Sequence, residues 1–415
     1  MVIYTGANAA NNSMAQNVAF PKNPADPLLR EWVKPDYNPV IPLPADVTGG
    51  MFADPSTPWL GRMVENPDMF PVNARGEDDG LDTSANGPGV KHVFKVGVMN
   101  TFEDYYMVGE YDEVTDVFRP EEPERGDDVR GWRRVDYGHL YSTRTFYDAP
   151  NNQRVLWAWV NESDSQADDF ARGWSGVQVF PRKVWLDKEN GKQLLQWPIE
   201  EIKSLRKTPV CVKKTVLNAG AVKEIVGVGG SQFDVEVSFR IQSLESAEVF
   251  KDANELMDTQ RLCFEKGATV TGGVGPFGLI VAASADLRDH RSLLQGYNAT
   301  YKLLMCTDLT KSSTRAGVYK GAYGGFLDIR VEEHKKIELR TLVDHTMLES
   351  FGAGGRTVIT ARVYPENTAT NSSHLFVFNN GSDAVRVSKL QAWELAPASV
   401  NVVDNGLLRA SQASQ

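Results

Sequence analysis

Short apolar runs, many of them alternating with polar residues, dominate the chain. The clearest are KHVFKVGV (91–98), DYYMVGEYD (104–112), RVLWAWV (154–160), FDVEVSFRI (233–241), KLLMCTDL (302–309), IELRTLVD (337–344), TVITARVY (357–364) and HLFVFNN (374–380). Each is rich in β-branched and aromatic residues and is bounded by Gly, Asn, Asp or Pro, so each reads as a strand. The N-terminal VIYTG reads the same way. Helical periodicity is nearly absent. Its best case is WPIEEIKSLRK (197–207), where Ile199, Ile202 and Leu205 share one face behind Pro198. A helix between two strand-rich halves predicts a linker, with the division near residues 198–209. The first half carries its acidic residues, Trp and Pro in irregular loops. The second alternates more regularly, which suits a two-sheet sandwich. No internal period of about 40 to 50 residues is visible.

Composition narrows the function. The 415 residues suffice for two or three domains with full cores. The formal charge of −10, without any run of Lys or Arg, argues against nucleic acid or an anionic membrane as partner. No apolar stretch reaches the ~18 residues of a membrane span, and the first residues lack a signal-peptide pattern. Three cysteines, Cys211, Cys263 and Cys306, fit either redox compartment. Sequons at Asn11, Asn161, Asn298, Asn371 and Asn380 lean toward secretion.

Two acidic residues stand out in FADPSTPWLGRMVENPDMF (52–70). Asp54 sits in an Ala-Asp-Pro turn, and Glu65 sits between a short apolar run and an Asn-Pro-Asp turn. Retaining glycoside hydrolysis uses two carboxyl groups about 5 to 5.5 Å apart, one nucleophilic and one acidic. The acid needs an environment that keeps its proton, and Met63, Val64, Pro67, Met69 and Phe70 could supply one for Glu65. On spacing alone, an Asp and a Glu eleven residues apart are a weak signal, and carboxylates closing turns and strand ends are the better reading. A third stretch, WAWVNESDS (157–165), gathers Trp159, Asn161 and Glu162 at a strand end. Aromatic and hydrogen-bonding groups so mixed suit a sugar pocket, although a plain strand-to-loop junction would look similar.

These stretches together resemble the plant acid invertases and fructan exohydrolases of glycoside hydrolase family 32. FADPSTPWLG resembles the family's Arg-Asp-Pro segment, MVENPDMFPV its Glu-Cys-Pro-Asp segment, and WVNESDS its Trp-Ala-Asn-Glu-Ser-Asp segment. QNVAFPKNPADPLLREWVKPDYNPV, GVKHVFKV, GWSGVQVFPRKVWLD, GPFGL and VDHTMLESFG match its plant members too. The resemblance implies an all-β fold, a five-bladed β-propeller followed by a β-sandwich. It divides the chain into a propeller over 1–199 with its first blade missing, a linker over 200–209, a sandwich over 210–405 and a tail over 406–415. Glu65 would be the general acid/base and Asp54 the transition-state stabiliser. Trp159, Asn161 and Glu162 would bind substrate, and Asp54, Glu65 and Glu162 should converge at one end of the propeller axis. The substrate would be fructan or sucrose, with no cofactor, no metal and no membrane partner. The protein would be monomeric and would reach the cell wall, apoplast or vacuole. A family cysteine pair matches Cys263 and Cys306, both on expected sandwich strands, and Cys211 would be free. Closing that loop is worth about 4 kcal/mol in the chain-entropy model.

Departures qualify these implications. The family's nucleophile lies in a Trp-Met-Asn-Asp-Pro-Asn-Gly motif that these residues do not contain, so the chain is expected to be impaired. Asp26, an Asp-Pro, belongs to a different matching segment. Ala53 stands for Arg, Asn66 for Cys and Val64 for Trp. HRSLLQGYN (290–298) replaces a regular aromatic strand. In VGVMNTFEDYY, Met99 or Asn100 and Phe102 occupy the places of an Asp and a Lys that invertases use for the glucose end of sucrose. Their loss favours release of terminal fructose from fructan over the alternative, sucrose hydrolysis. A non-catalytic carbohydrate-binding homologue is the competing class.

Overall fold

The computed structural model describes residues 2–8, 13–26, 29–40, 64–99, 101–115, 117–122, 131–249, 258–283, 295–298, 302–331, 333, 336–364 and 373–398. Among these, strands predominate and helices are few and short, so the fold is all-β. Strands β1 (Val2–Asn8), β2 (Ser13–Pro21) and β3 (Trp32–Val33) form a three-stranded sheet. A second sheet contains β4 (Val64–Asn73), β5 (Val90–Val98), β6 (Glu103–Asp112) and β7 (Val117–Pro120) in that order, with β8 (Arg133–Arg134) also paired to β6. A third contains β9 (Leu140–Asp148), β10 (Gln153–Val160), β11 (Val177–Gln178), β12 (Arg182–Leu186) and β13 (Leu194–Pro198), with β10 between β11 and β12. The second and third sheets are antiparallel and share one apolar core, which includes Phe70, Val93, Val108, Leu156, Val160 and Leu186. Burying alternate faces of such strands is the main favourable term available to them.

The remainder is a second β unit of three sheets. Its strands are β14 (Val210–Val212), β15 (Thr215–Leu217), β16 (Ala221–Glu224), β17 (Gln232–Ile241), β18 (Glu248–Val249), β19 (Phe277–Ala283), β20 (Gln295–Asn298), β21 (Lys302–Asp308), β22 (Ala322–Leu327), β23 (Lys336–Asp344), β24 (Met347–Gly352), β25 (Thr357–Arg362), β26 (His374–Asn379) and β27 (Val385–Glu394). One sheet runs β14-β27-β17-β23-β24-β25, with β15 also on β27. Two smaller sheets, β16-β26-β19 and β18-β20-β21-β22, contribute to the same core through Phe277, Leu303, Met305 and Val377. Residues 295–298, within the irregular HRSLLQGYN stretch, do form a strand, β20, paired with β18 and β21.

Three local expectations need correction. The stretch 197–207 is not an α-helix. Trp197 and Pro198 end β13, and Glu200–Leu205 is a 3-10 helix. The spacing of Ile199, Ile202 and Leu205 is three, which matches the 3-10 repeat and also fits one face of an α-helix over so short a stretch. Ile202 is buried against Leu342, Phe351 and Val358, so the face was read correctly and the helix type was not. Cys263 lies on a helix, α2 (Thr259–Lys266), rather than on a strand. It is bonded to Cys306 of β21, with Cα atoms 5.6 Å apart. Cys211 is free and exposed. A further helix, α1 (Gln166–Arg172), begins at a capping box between Ser165 and Asp168 that strand patterning passes over.

Candidate active site

Glu65 lies inside β4, not between an apolar run and a turn. It is opposite Gly97 of β5, and the register then slips so that Asp68 faces Lys95. Asn66 and Pro67 thus oppose Val96 alone, a β-bulge, and Asn66 takes a positive φ of 50°. Bulges re-aim side chains and are common beside active sites. The Glu65 carboxylate is half-buried, and Tyr141 of β9 donates its hydroxyl to Oε2 at 2.7 Å. Position 97 admits only glycine at low cost. A Cβ there would lie 2.7 Å from Asp104 Oδ1, 3.0 Å from the Tyr141 ring and 3.3 Å from the Glu65 carbonyl.

The carbonyls of the bulge and the Asn66 and Asp68 side chains have partners. Lys95 Nζ donates to the carbonyls of Asn66 at 2.7 Å and Thr143 at 2.6 Å, and lies 3.4 Å from Asp104 Oδ2. Arg144 donates to the carbonyl of Pro67 and, at 3.2 Å, to Asn66 Oδ1. Asp68 Oδ2 accepts both the amide and the hydroxyl of Thr145 at 2.8 Å. Asp68 is therefore a brace between β4 and β9. Burial pushes the Lys95 ammonium down from its ordinary value, and the nearby Asp104 and Asp68 oppose that.

Trp159 is cross-strand neighbour to Tyr141 in the β9–β10 ladder, which sets the two on one face. Its indole also lies against Gly176. That residue has a φ of 75°, and a Cβ on it would collide with Trp159 Nε1. The Gly176 amide donates to Glu162 Oε1 at 2.7 Å. A chain of contacts therefore runs from Glu65 of the second sheet through Tyr141 and Trp159 of the third to Gly176 and Glu162, just outside its strands. Asn161, half-buried, accepts the Glu162 amide on Oδ1 at 2.8 Å. Glu162 differs from Glu65 in having many partners: Arg362 Nη1 at 2.6 Å, the Tyr364 hydroxyl and Arg172 Nη2 at 3.2 Å. Burial disfavours its charge, but the Tyr364 hydroxyl, Arg362 and the Gly176 amide outweigh that and hold its carboxyl below the ordinary glutamate value. Asp54 and Ala53 lie outside the described residues, as does Asn100. Asp26 pairs with Arg30 in the β2–β3 connection.

The β5–β6 turn borders Glu65. Met99 and Phe102 are exposed there, at 38% and 39%, and Phe102 has a φ of 52°. The Phe102 ring meets Tyr141 edge-on, with centroids 5.3 Å apart. The Glu162, Asp164 and Asp169 carboxylates lie close enough to share a metal ion. The Arg172 guanidinium already serves as their cation, paired with all three.

Sequence reasoning missed Tyr141, Lys95 and Asp104. Tyr141 left no signal, being one tyrosine of thirteen. Lys95 did leave one: it is a cation within a strand whose other residues are mostly apolar, and a buried Lys requires partners.

Comparisons with known proteins agree on a family. The model for the Glycosyl hydrolases family 32 N-terminal domain matches residues 60–198, and that for the family 32 C-terminal domain matches residues 201–394. The chain is 60% identical to a beta-fructofuranosidase, insoluble isoenzyme 7, of Oryza sativa subsp. japonica, across 97% of this chain and 75% of the relative. It is 53% identical to a fructan 6-exohydrolase of Triticum aestivum, across 97% and 76%. Among solved structures, fructan 1-exohydrolase IIa from Cichorium intybus matches with a TM-score of 0.86 and 39% identity, over 96% of this chain and 81% of that one. A Glu-to-Gln variant of that enzyme has also been solved in complex with 1-kestose. The chain belongs to glycosyl hydrolase family 32 and is a glycosyl hydrolase of the group that contains the plant beta-fructofuranosidases and fructan exohydrolases.

Proposed function

We propose that this protein's site releases terminal β-D-fructofuranosyl units from fructan by a retaining route, with Glu65 as general acid/base and Asp54 as transition-state stabiliser. The supporting observation is the state of Glu65. Among the described residues its carboxylate has one hydrogen-bond partner, Tyr141, on a segment braced at Asn66, Pro67 and Asp68. An acid that must give a proton to a leaving oxygen needs a fixed position and a free lone pair. Asp54 would hold fructose hydroxyls most strongly in the transition state. Trp159 and Asn161 would line the pocket wall, and Glu162 would shape it from behind through Gly176. The two antiparallel sheets with one shared core are compatible with neighbouring blades of a five-bladed propeller, and the three-sheet unit with a sandwich. The domain limits of 1–199, 200–209 and 210–405 belong to the same reading.

Fructan is preferred to sucrose because the β5–β6 turn beside Glu65 offers Met99 and Phe102, an apolar surface without a charged pair for glucose. Sucrose hydrolysis is the second reading, favoured by the name of the rice relative. The disulfide and the sequons support a secretory route to the cell wall or vacuole.

These residues contain no match to the nucleophile motif, so the 415-residue chain assayed alone should release little fructose from levan, inulin or sucrose. Loss of a nucleophile removes several orders of magnitude in rate. A version preceded by a segment carrying that Asp should release fructose from fructan faster than from sucrose, and Glu65→Gln should abolish the activity. Robust turnover by the chain alone would overturn the impairment and direct attention to Asp26. Equal rates on fructan and sucrose in the extended version would favour the invertase reading, and no turnover in it the binding homologue.

A further inference from the structure

Two residues in the left-handed backbone region adjoin the two members of the Glu65–Tyr141 pair. Asn66, with φ 50°, follows Glu65, and Ser142, with φ 60°, follows Tyr141. A non-glycine residue in that region is strained and persists only where its surroundings over-determine it. Here one buried ion pair supplies the constraint on both sides. The Lys95 side chain is 3% exposed and that of Asp104 0%. Lys95 Nζ takes the Asn66 carbonyl at 2.7 Å, which the bulge removes from the regular ladder, and the Thr143 carbonyl at 2.6 Å. Asp104 Oδ1 accepts the Ser142 amide at 3.3 Å, and Oδ2 accepts the Thr143 amide and hydroxyl at 2.6 Å. The pair thus grips β4 immediately after Glu65 and β9 immediately after Tyr141. Neither Lys95 nor Asp104 is hydrogen-bonded to Glu65 or Tyr141 among the described residues.

We propose that Lys95 and Asp104 are positioning residues, a clamp that sets the distance and angle at which Tyr141 meets the Glu65 carboxylate. A catalytic group must be held within roughly 0.5 Å of its productive place by neighbours that are themselves locked. The bulge and the strained Ser142 would otherwise relax toward extended backbone, and each would swing its neighbour's side chain. A buried Lys–Asp pair is a costly way to add stability, so its value here is geometric. This proposal rests on the reading of Glu65 as the acid/base. Its test measures geometry and not turnover, so the two can fail separately.

The test labels the chain with tyrosine carrying carbon-13 at Cζ, whose resonance reports the hydroxyl's hydrogen bond. Tyr141→Phe identifies the Tyr141 signal, and Glu65→Ala gives its position when the bond is lost. Lys95→Met should move the Tyr141 signal as far as Glu65→Ala does, at temperatures well below its own melting point, and Lys95→Arg should restore part of the shift. Ile202→Ala, in the 3-10 helix, serves as a destabilised control that should leave the signal in place. If Lys95→Met does not fold, Thr143→Val, which removes one of Asp104's bonds, should give a smaller shift in the same direction. A Tyr141 signal unmoved in Lys95→Met, or in Thr143→Val where that variant decides, would overturn the proposal. So would an equal shift in the Ile202→Ala control.

Discussion

Two clusters of charge in this molecule use the same side chains to opposite ends. At the junction of the two halves, Arg182 is wholly buried and donates to Asp136, Gln196, Glu349 and Thr360. Glu349 also accepts the Phe180 amide at 2.7 Å, and Asp136 accepts the amides of Gly138 and Thr360. Backbone bonds from Tyr137 to Val358 and from His139 to Thr360 run alongside. Around Glu65 the protein likewise braces the neighbouring Asn66, Pro67 and Asp68, but leaves the glutamate itself half-exposed with Tyr141 as its partner among the described residues. A carboxylate whose lone pairs are all taken by the protein can hold two elements together and can do little else. One held by a single hydroxyl, on a braced backbone, can still exchange a proton. The number of protein partners, together with burial, separates the two kinds of glutamate here.

The largest effect that would sharpen this contrast is at Arg182. Arg182→Met leaves Asp136 and Glu349 buried without a cation, a change that typically costs about 3–5 kcal/mol. Urea unfolding should show a midpoint lowered accordingly, with both halves affected, since the partners belong to β9's approach, β13, β24 and β25. A loss below about 1 kcal/mol would mean that the junction is not where the chain's charged groups do their holding.

How far the sequence exposed this arrangement follows from what pattern can encode. Strands were legible because alternation and β-branched runs are local, and all eight quoted runs lie on strands. The helix type at 200–205 was not, since an apolar spacing of three over seven residues fits either repeat until the backbone is known. Cys263 was paired correctly and placed on the wrong element, because pairing followed a resemblance while the RLCFE run is too short to separate strand from helix. Around the candidate site, Glu65 was singled out by motif. Tyr141 was not, since a contact between β4 and β9 spans 76 positions and leaves no trace in local pattern. Glu162 carried a motif too, but motif does not reveal that Arg362 and Tyr364, some two hundred residues on, occupy its oxygens.

A smaller effect is the pH dependence that Glu162 contributes. The Glu162 carboxyl is held below its ordinary value of 4.5, against burial, by Tyr364, Arg362 and the Gly176 amide. A depressed folded-state value means that the stability it contributes is present above the ordinary value and is lost as pH falls through the lowered one. The wild type should therefore lose stability between neutral pH and acid conditions below about pH 4, and Glu162→Gln should lose less over the same interval. Unfolding free energies measured across that range would show the difference as a shallower acid limb. Parallel limbs would remove Glu162 from the junction's electrostatic holding set.

The smallest expected effect on stability is at Glu65 itself, and it is the one that most directly tests the comparison. Glu65→Gln keeps the shape of the side chain, and its amide oxygen can still accept the Tyr141 hydroxyl, so no buried group loses its partner. The position is half-exposed and the bulge is held by Lys95, Asp68 and Arg144, none of which bonds to the carboxylate. Stability should therefore change by no more than about 0.5 kcal/mol, as for a surface substitution away from any network. Glu349→Gln, the same chemical change at the junction, should cost far more, because it removes the charge that Arg182 requires at 2.6 Å. The two variants, unfolded side by side in urea, differ only in where the glutamate sits. If Glu65→Gln proved as destabilising as Glu349→Gln, Glu65 would be a structural carboxylate like the other, and its assignment as the proton donor would fall.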